Sequence, residues 1–151
     1  MQRDIIQNWF LPHPPEMVWQ FLTDTELLKH WFMENNFKPV IGHQFTFHSK
    51  PKIKMGFDGN IYCEVLEVIP EKRLTFTWKG GPGNGKITLE SVVTWTLTPQ
   101  DNGTMLLLEH TGFKGVKNYI ISMVLDKGWR TGVKKRFMAS FQQYEYETTR
   151  R

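Results

Sequence analysis

Apolar and polar side chains alternate through the middle of the chain. Phe45 and Phe47 alternate with Gln44, Thr46 and His48, and Leu74, Phe76 and Trp78 alternate with Thr75, Thr77 and Lys79. The longest run sets Ile87, Leu89, Ser91, Val93, Trp95 and Leu97 against Thr88, Glu90, Val92, Thr94, Thr96 and Thr98. Period two is the signature of a half-buried strand. Residues 61–68 and 104–111 are also strand candidates, and residues 5–11 are apolar enough for a first strand. Turn signals separate these runs at Gly42, Asp58-Gly59, Pro70-Glu71-Lys72, Gly80 to Gly85 and Asp101-Asn102-Gly103. Consecutive strands with short turns predict an antiparallel meander, apolar on one face and rich in Thr, Lys and Glu on the other.

Helical spacing brackets the meander. Val18, Phe21 and Leu22 follow Pro15, which suits a first helical turn. Thr23 and Glu26 have the spacing of a capping box, with Leu27, Leu28, Trp31 and Phe32 as the apolar stripe behind it. Two short helices are therefore expected near the N-terminus. At the other end Trp129, Val133, Phe137, Phe141 and Tyr144 fall close to one helical face, while Lys134, Lys135, Gln142 and Glu145 fall mostly on the other. Residues 118–127 are expected as a separate helical turn or two, with Gly128 marking a break before the long helix. Gly128 and Gly132 either pack closely against a neighbouring backbone or leave space beneath the helix.

The 151 residues suit a single domain, 1–151, able to bury roughly two-thirds of its unfolded surface. With 40% hydrophobic, 14% aromatic and 23% charged residues, a disordered tail or a coiled coil is excluded. No apolar run approaches the roughly 20 residues of a membrane span. The N-terminal residues lack the apolar core of a secretory signal, and the single cysteine, Cys63, has no internal partner, so a reducing, cytoplasmic location is expected. The formal charge of +4 is ordinary for a small domain. The basic residues are dispersed, clustering only at Lys134-Lys135-Arg136 and Arg150-Arg151, so a nucleic-acid partner is not expected.

Few motifs carry chemistry. Gly80 and Gly85-Lys86 are spaced as in a phosphate loop, but Ile87 replaces the magnesium-binding hydroxyl and a strand, not a helix, follows. The segment reads as a hairpin loop. None of the five histidines pairs at the helical zinc spacing, and no metal or other cofactor is expected. Cys63 lies in a strand run and reads as a small buried hydrophobe. His110 falls in register with Leu106 and Leu108, so it faces the core, as a satisfied structural histidine, an acid–base catalyst, or a polar contact in an apolar cavity. The aromatic residues can either pack the core solid or line a cavity. A dry void of about 300 Å³ would cost on the order of 7 kcal/mol, so any cavity should be small, partly hydrated or filled.

These segments, in this order, resemble the START-like (SRPBCC) superfamily, in the branch named for the activator of heat shock protein 90 ATPase. The resemblance is carried by residues 15–24, PEMVWQFLTD, by Leu27-Leu28-Lys29-His30-Trp31-Phe32 and by Gly42. It continues through residues 64–74, EVLEVIPEKRL, then Phe76-Thr77-Trp78, residues 108–113, LEHTGF, and Gly128-Trp129. It implies an α+β helix-grip fold, a curved antiparallel sheet around a long C-terminal helix with two short helices near the N-terminus. It also implies a cavity of the kind that binds lipids, sterols, polyketides or other apolar molecules. The eukaryotic co-chaperone of that name engages its partner through an additional N-terminal domain for which this chain has no room. Chaperone activation is therefore not carried over with the fold.

The leading expectation is a binding protein for a small apolar ligand. Trp31, Phe47, Trp78, Trp95, Trp129 and Phe137 would line the cavity, and His110 would supply a polar contact. The alternatives are a cyclase- or hydrolase-type enzyme acting in the same cavity, or a stand-alone chaperone-binding module.

Overall fold

Seven strands form one antiparallel sheet in a computed structural model that describes residues 3–49 and 57–149. They are β1 (Ile5–Leu11), β2 (Glu34–Asn35), β3 (Gln44–His48), β4 (Asn60–Ile69), β5 (Arg73–Gly80), β6 (Leu89–Gln100) and β7 (Gly103–Thr111). Their order is β1-β7-β6-β5-β4-β3-β2, so every hairpin pairs with its sequence neighbour and β1 closes the far edge against β7. The sheet curves into a half-barrel. A shift in register between Val65 and Glu67 marks a bulge in β4, of the kind that adds local bend. Helices α1 (Pro15–Thr23) and α2 (Thr25–Trp31) connect β1 to β2.

The alternation read from the sequence is the alternation of burial. On β5, Leu74, Phe76 and Trp78 are buried, and on β6 Leu89, Ser91, Val93, Trp95 and Leu97 are. All point to the concave face, where the long C-terminal helical segment lies. Gly112 turns the chain out of β7 with φ of +102°, and a Cβ there would meet the Ser91 Cα at 3.1 Å, so only glycine fits. After it come α3 (Gly115–Gly128), a π-helical turn (Trp129–Val133) and α4 (Lys134–Thr149) without interruption.

Four local expectations are corrected. The capping box does not form. Thr23 ends α1 and donates its hydroxyl to the Trp19 carbonyl, while the Asp24 carboxylate caps α2, accepting from the amides of Glu26 at 2.9 Å and Leu27 at 3.0 Å. A carboxylate at the positive end of a helix is the stronger cap. Ile87 is not a core strand residue. It is 38% exposed, and β6 begins only at Leu89, because the Thr88 amide bonds back to Gly80 and closes the loop before the strand starts. Nor does Gly128 break the helix. Its backbone is helical, it faces solvent, and an added Cβ there would meet nothing, so neither close packing nor space beneath the helix accounts for it. Residues 118–127 belong to the 14-residue α3, not to an isolated turn. The Arg150-Arg151 pair lies outside the described residues.

Candidate functional site

Five of the six tryptophans converge where the sheet grips the helix. Trp9 of β1 meets Trp95 of β6 at 5.4 Å between ring centroids, and Trp129 of the π turn lies 5.6 Å from both Trp95 and Trp78. Trp31, at the end of α2, packs on Phe137 of α4 at 4.3 Å. Phe32 stacks on Trp129 at 5.5 Å and meets Phe47 edge-on at 4.8 Å. Offset and edge-to-face contacts of this kind add stabilisation beyond burial alone.

The rings nearly fill their space. The void between them has a volume of about 10 Å³, room for about one water. Trp31, Phe47, Trp95 and Trp129 line it, with Phe32, Phe37 and Phe76 completing the aromatic wall and Leu22 and Leu28 the aliphatic one. Of the residues expected from the sequence, Trp78, His110 and Phe137 are not in that lining. They stand one ring behind it, against Trp129 and Trp31. Sequence reasoning did not single out Phe37, which follows a two-residue strand with no readable period. It also passed over Trp9, whose neighbour Phe10 is equally apolar but points outward.

His110 is fully buried between three elements. Its Nε2 lies 2.9 Å from the Ser91 hydroxyl, and the Trp129 indole N–H donates to its Nδ1 at 3.2 Å. The Ser91 hydroxyl donates to the Trp78 carbonyl at 2.7 Å. Ser91 can therefore only accept from the ring, and the indole can only donate to it. These neighbours fix one neutral tautomer, protonated at Nε2. Burial pushes its pKa down to about 3. The pair is wired opposite to a catalytic Ser–His dyad, in which the imidazole accepts the serine proton. His110 is thus a structural histidine tying β7 to β6 and to the π turn.

A second polar knot holds α3 to β1. The Asp126 carboxylate accepts from Arg3 at 2.7 Å, from Gln7 Nε2 at 2.6 Å and from Arg130 at 2.9 Å. Gln7 Nε2 also donates to the Asp126 carbonyl, and its Oε1 accepts from Trp9 Nε1 at 2.9 Å. Burial works to raise the Asp126 pKa, but the hydrogen bonds from Arg3 and Gln7 and the Arg130 and Arg3 charges outweigh it and hold the carboxyl below its usual value. The knot sits one turn before Trp129, where the π turn begins. Within that turn the Lys134 amide bonds five residues back, to the Trp129 carbonyl.

Other candidates carry less. Cys63 is buried, its thiol held well above its usual pKa by desolvation. Gly83 and Lys86 form an isolated bridge, so residues 80–87 make a closed loop, with no helix N-terminus to hold a phosphate. Among the described residues no cluster of three or more His, Cys, Asp or Glu could hold a metal ion, and no buried side-chain nitrogen or oxygen lacks a hydrogen-bond partner. No helix among them is long and apolar enough to cross a membrane.

Residues 12–141 match the family described as Activator of Hsp90 ATPase homolog 1-like protein. No curated protein matches the chain at a comparable level. Among solved structures, protein MLL2253 from Mesorhizobium loti is 33% identical, with 93% of this chain and 98% of that chain aligned at a TM-score of 0.81. Protein BH1534 from Bacillus halodurans is 28% identical, with 93% and 99% aligned at a TM-score of 0.72. The Aha1 dimer from Colwellia psychrerythraea is 19% identical, with 92% of each chain aligned at a TM-score of 0.68, a likeness of fold alone.

Proposed function

The chain belongs to the Activator of Hsp90 ATPase homolog 1-like family of the START-like superfamily, and from that premise we propose that it binds a small apolar molecule between its sheet and its C-terminal helix. The observation that supports this most directly is the void among Trp31, Phe32, Phe47, Trp95 and Trp129, at the point where sheet, α2 and π turn meet. Its wall is aromatic and aliphatic, so the guest that fits is one with few polar atoms.

A space of about 10 Å³ admits no such guest as it stands. Entry requires side chains to part, and Phe32 is the residue placed to do so. It follows α2, is only partly buried, and its ring bridges Phe47, Trp78 and Trp129. Swinging that ring outward enlarges the void without moving the sheet. A closed resting arrangement also meets the stability argument, since a permanently open dry cavity would consume much of a domain's net stability. A guest burying about 300 Å² of apolar surface would gain roughly 7 kcal/mol before the losses of association.

The wiring of His110 speaks against the enzymatic alternative, because both ring nitrogens are committed to structural partners. Tryptophan fluorescence is the natural readout, since three indoles line the void and those of Trp9 and Trp78 pack behind them. Titration with fatty acids, a sterol and a flavonoid should give a saturable, one-site change with at least one class. Silence across the panel, in both the wild type and a Phe32→Ala variant, would refute the reading.

A further inference from the structure

Helix α3 carries aliphatic residues on two sides: Ile121 and Leu125 pack against the core, and a second set faces out. Its buried residues are Ser122 and Asp126, while Val116, Ile120, Met123 and Val124 are between 46% and 63% exposed. At 100° per residue these four fall on one arc that excludes Ser122 and Asp126. The outward set follows from how α3 is held. Arg3 donates to the Ser122 carbonyl and the Asp126 carboxylate, and Gln7 donates to the Asp126 carboxylate and carbonyl, so these polar contacts, beside Ile121 and Leu125, dock the helix and leave Val116, Ile120, Met123 and Val124 outward.

The charge along this stretch of chain is one-sided. Residues 114–136 hold seven basic side chains against one acid, Asp126, which is buried and paired. Lys127 lies on the aliphatic arc one turn beyond Met123, Lys117 lies at its edge, and both are exposed. We propose that this face is a peripheral docking surface for an anionic phospholipid bilayer, with the aliphatic residues seated at the headgroup–acyl boundary and the lysines on lipid phosphates. An exposed aliphatic stripe flanked by lysines is the pattern of a helix lying in a membrane interface. A second copy of the chain fits less well. Two-fold pairing would turn the lysines of one copy towards those of the other, with no exposed carboxylate on α3 to answer them. Nucleic acid would answer the lysines but not the aliphatic residues.

The inference does not rest on the proposed ligand site, and its test needs no ligand. The full chain is sedimented with vesicles of phosphatidylglycerol and phosphatidylcholine, and with phosphatidylcholine alone, at low and high salt. Binding to the anionic vesicles is expected, weakened by salt. Ile120→Asp should reduce it by roughly tenfold or more, as should Lys117→Glu with Lys127→Glu. Leu66→Asp, on the outer face of β4, should leave it unchanged. Circular dichroism checks that each variant folds. No partition onto anionic vesicles, or equal loss in the Leu66 variant, overturns the proposal. So does a dimer in sedimentation that Ile120→Asp dissociates while vesicles stay unbound, which would assign the face to a second copy. Equal affinity for a nucleic acid, indifferent to Ile120→Asp, overturns it as well.

Discussion

Trp129 donates its indole hydrogen to Nδ1 of His110 across 3.2 Å, and this bond joins the one irregular turn of the long helix to the sheet it lies on. The two residues come from elements 19 positions apart in sequence. Each completes the other: the indole N–H would otherwise be buried without an acceptor, and the imidazole would lose the neighbour that fixes its tautomer.

Trp129→Phe keeps an aromatic ring in the cluster but removes that donor. The Nδ1 left behind is buried and unpaired, which costs about 1–3 kcal/mol. Urea unfolding should show a midpoint lowered accordingly with an unchanged slope. Stability equal to wild type would mean that the hydrogen bond contributes nothing net.

Acid should destabilise the fold through His110. Its pKa is about 3 when folded and about 6.5 when unfolded. Between those values the unfolded chain binds the extra proton, so stability falls as pH drops below about 6.5, by about 2 kcal/mol at pH 5. Asp126 adds to this only at lower pH. Its folded pKa lies below 3.8, so its contribution is present above that value and is lost as pH falls through the folded pKa. Unfolding midpoints measured from pH 7.5 to pH 4 should therefore decline in the wild type and decline less in His110→Gln.

Phe32→Ala should open the site from outside. The ring is only partly buried, so the loss in stability should be modest, about 1–3 kcal/mol, below that of a fully buried phenylalanine. The enlarged void should take up an environment-sensitive apolar dye more tightly than the wild type. An Ala variant that unfolds outright, or takes up no more dye, would show that Phe32 is a core residue and no gate.

The sheet was legible because one face is apolar and the other is not. Leu74, Phe76 and Trp78 announce their strand and its inward face by period alone. The candidate site was legible in part for the same reason: Phe47 and Trp95 are inward positions on such strands, and Trp31 and Trp129 fall on helical stripes. What stayed hidden depends on partners distant in the chain. Asp126 reads as a solvated acid until Arg3, 123 positions away, is placed beside it. Helix α3 was obscure because apolar residues lie on both of its sides, Ile121 and Leu125 inward and Val116, Ile120, Met123 and Val124 outward, so the rule that apolar means inside picks no face. Trp9 was ambiguous because Phe10 is equally hydrophobic, and only the register Trp9 to Leu106 decides which one points in.

Deleting Gly132 should leave the fold intact, against the usual expectation for a helix. Removing one residue from a regular α-helix turns everything beyond it by about 100°. Here that rotation would carry Phe137 and Phe141, both fully buried, out of the core. But Gly132 sits within the π turn, which holds one residue more than an α-helical turn would. With Gly132 gone the turn can close as α-helix, and Phe137 keeps its bearing relative to Asp126. The glycine itself stabilises nothing: in a helix it costs about 1 kcal/mol relative to alanine, and a Cβ there would press on the Arg136 guanidinium at 3.3 Å. The deletion variant should therefore unfold within about 1–2 kcal/mol of the wild type, whereas deleting Ala139 from the regular part of α4 should turn Phe141 out of the core and cost about 3–5 kcal/mol. If both deletions are equally damaging, the π turn is no inserted residue but a geometry the tryptophan cluster itself demands.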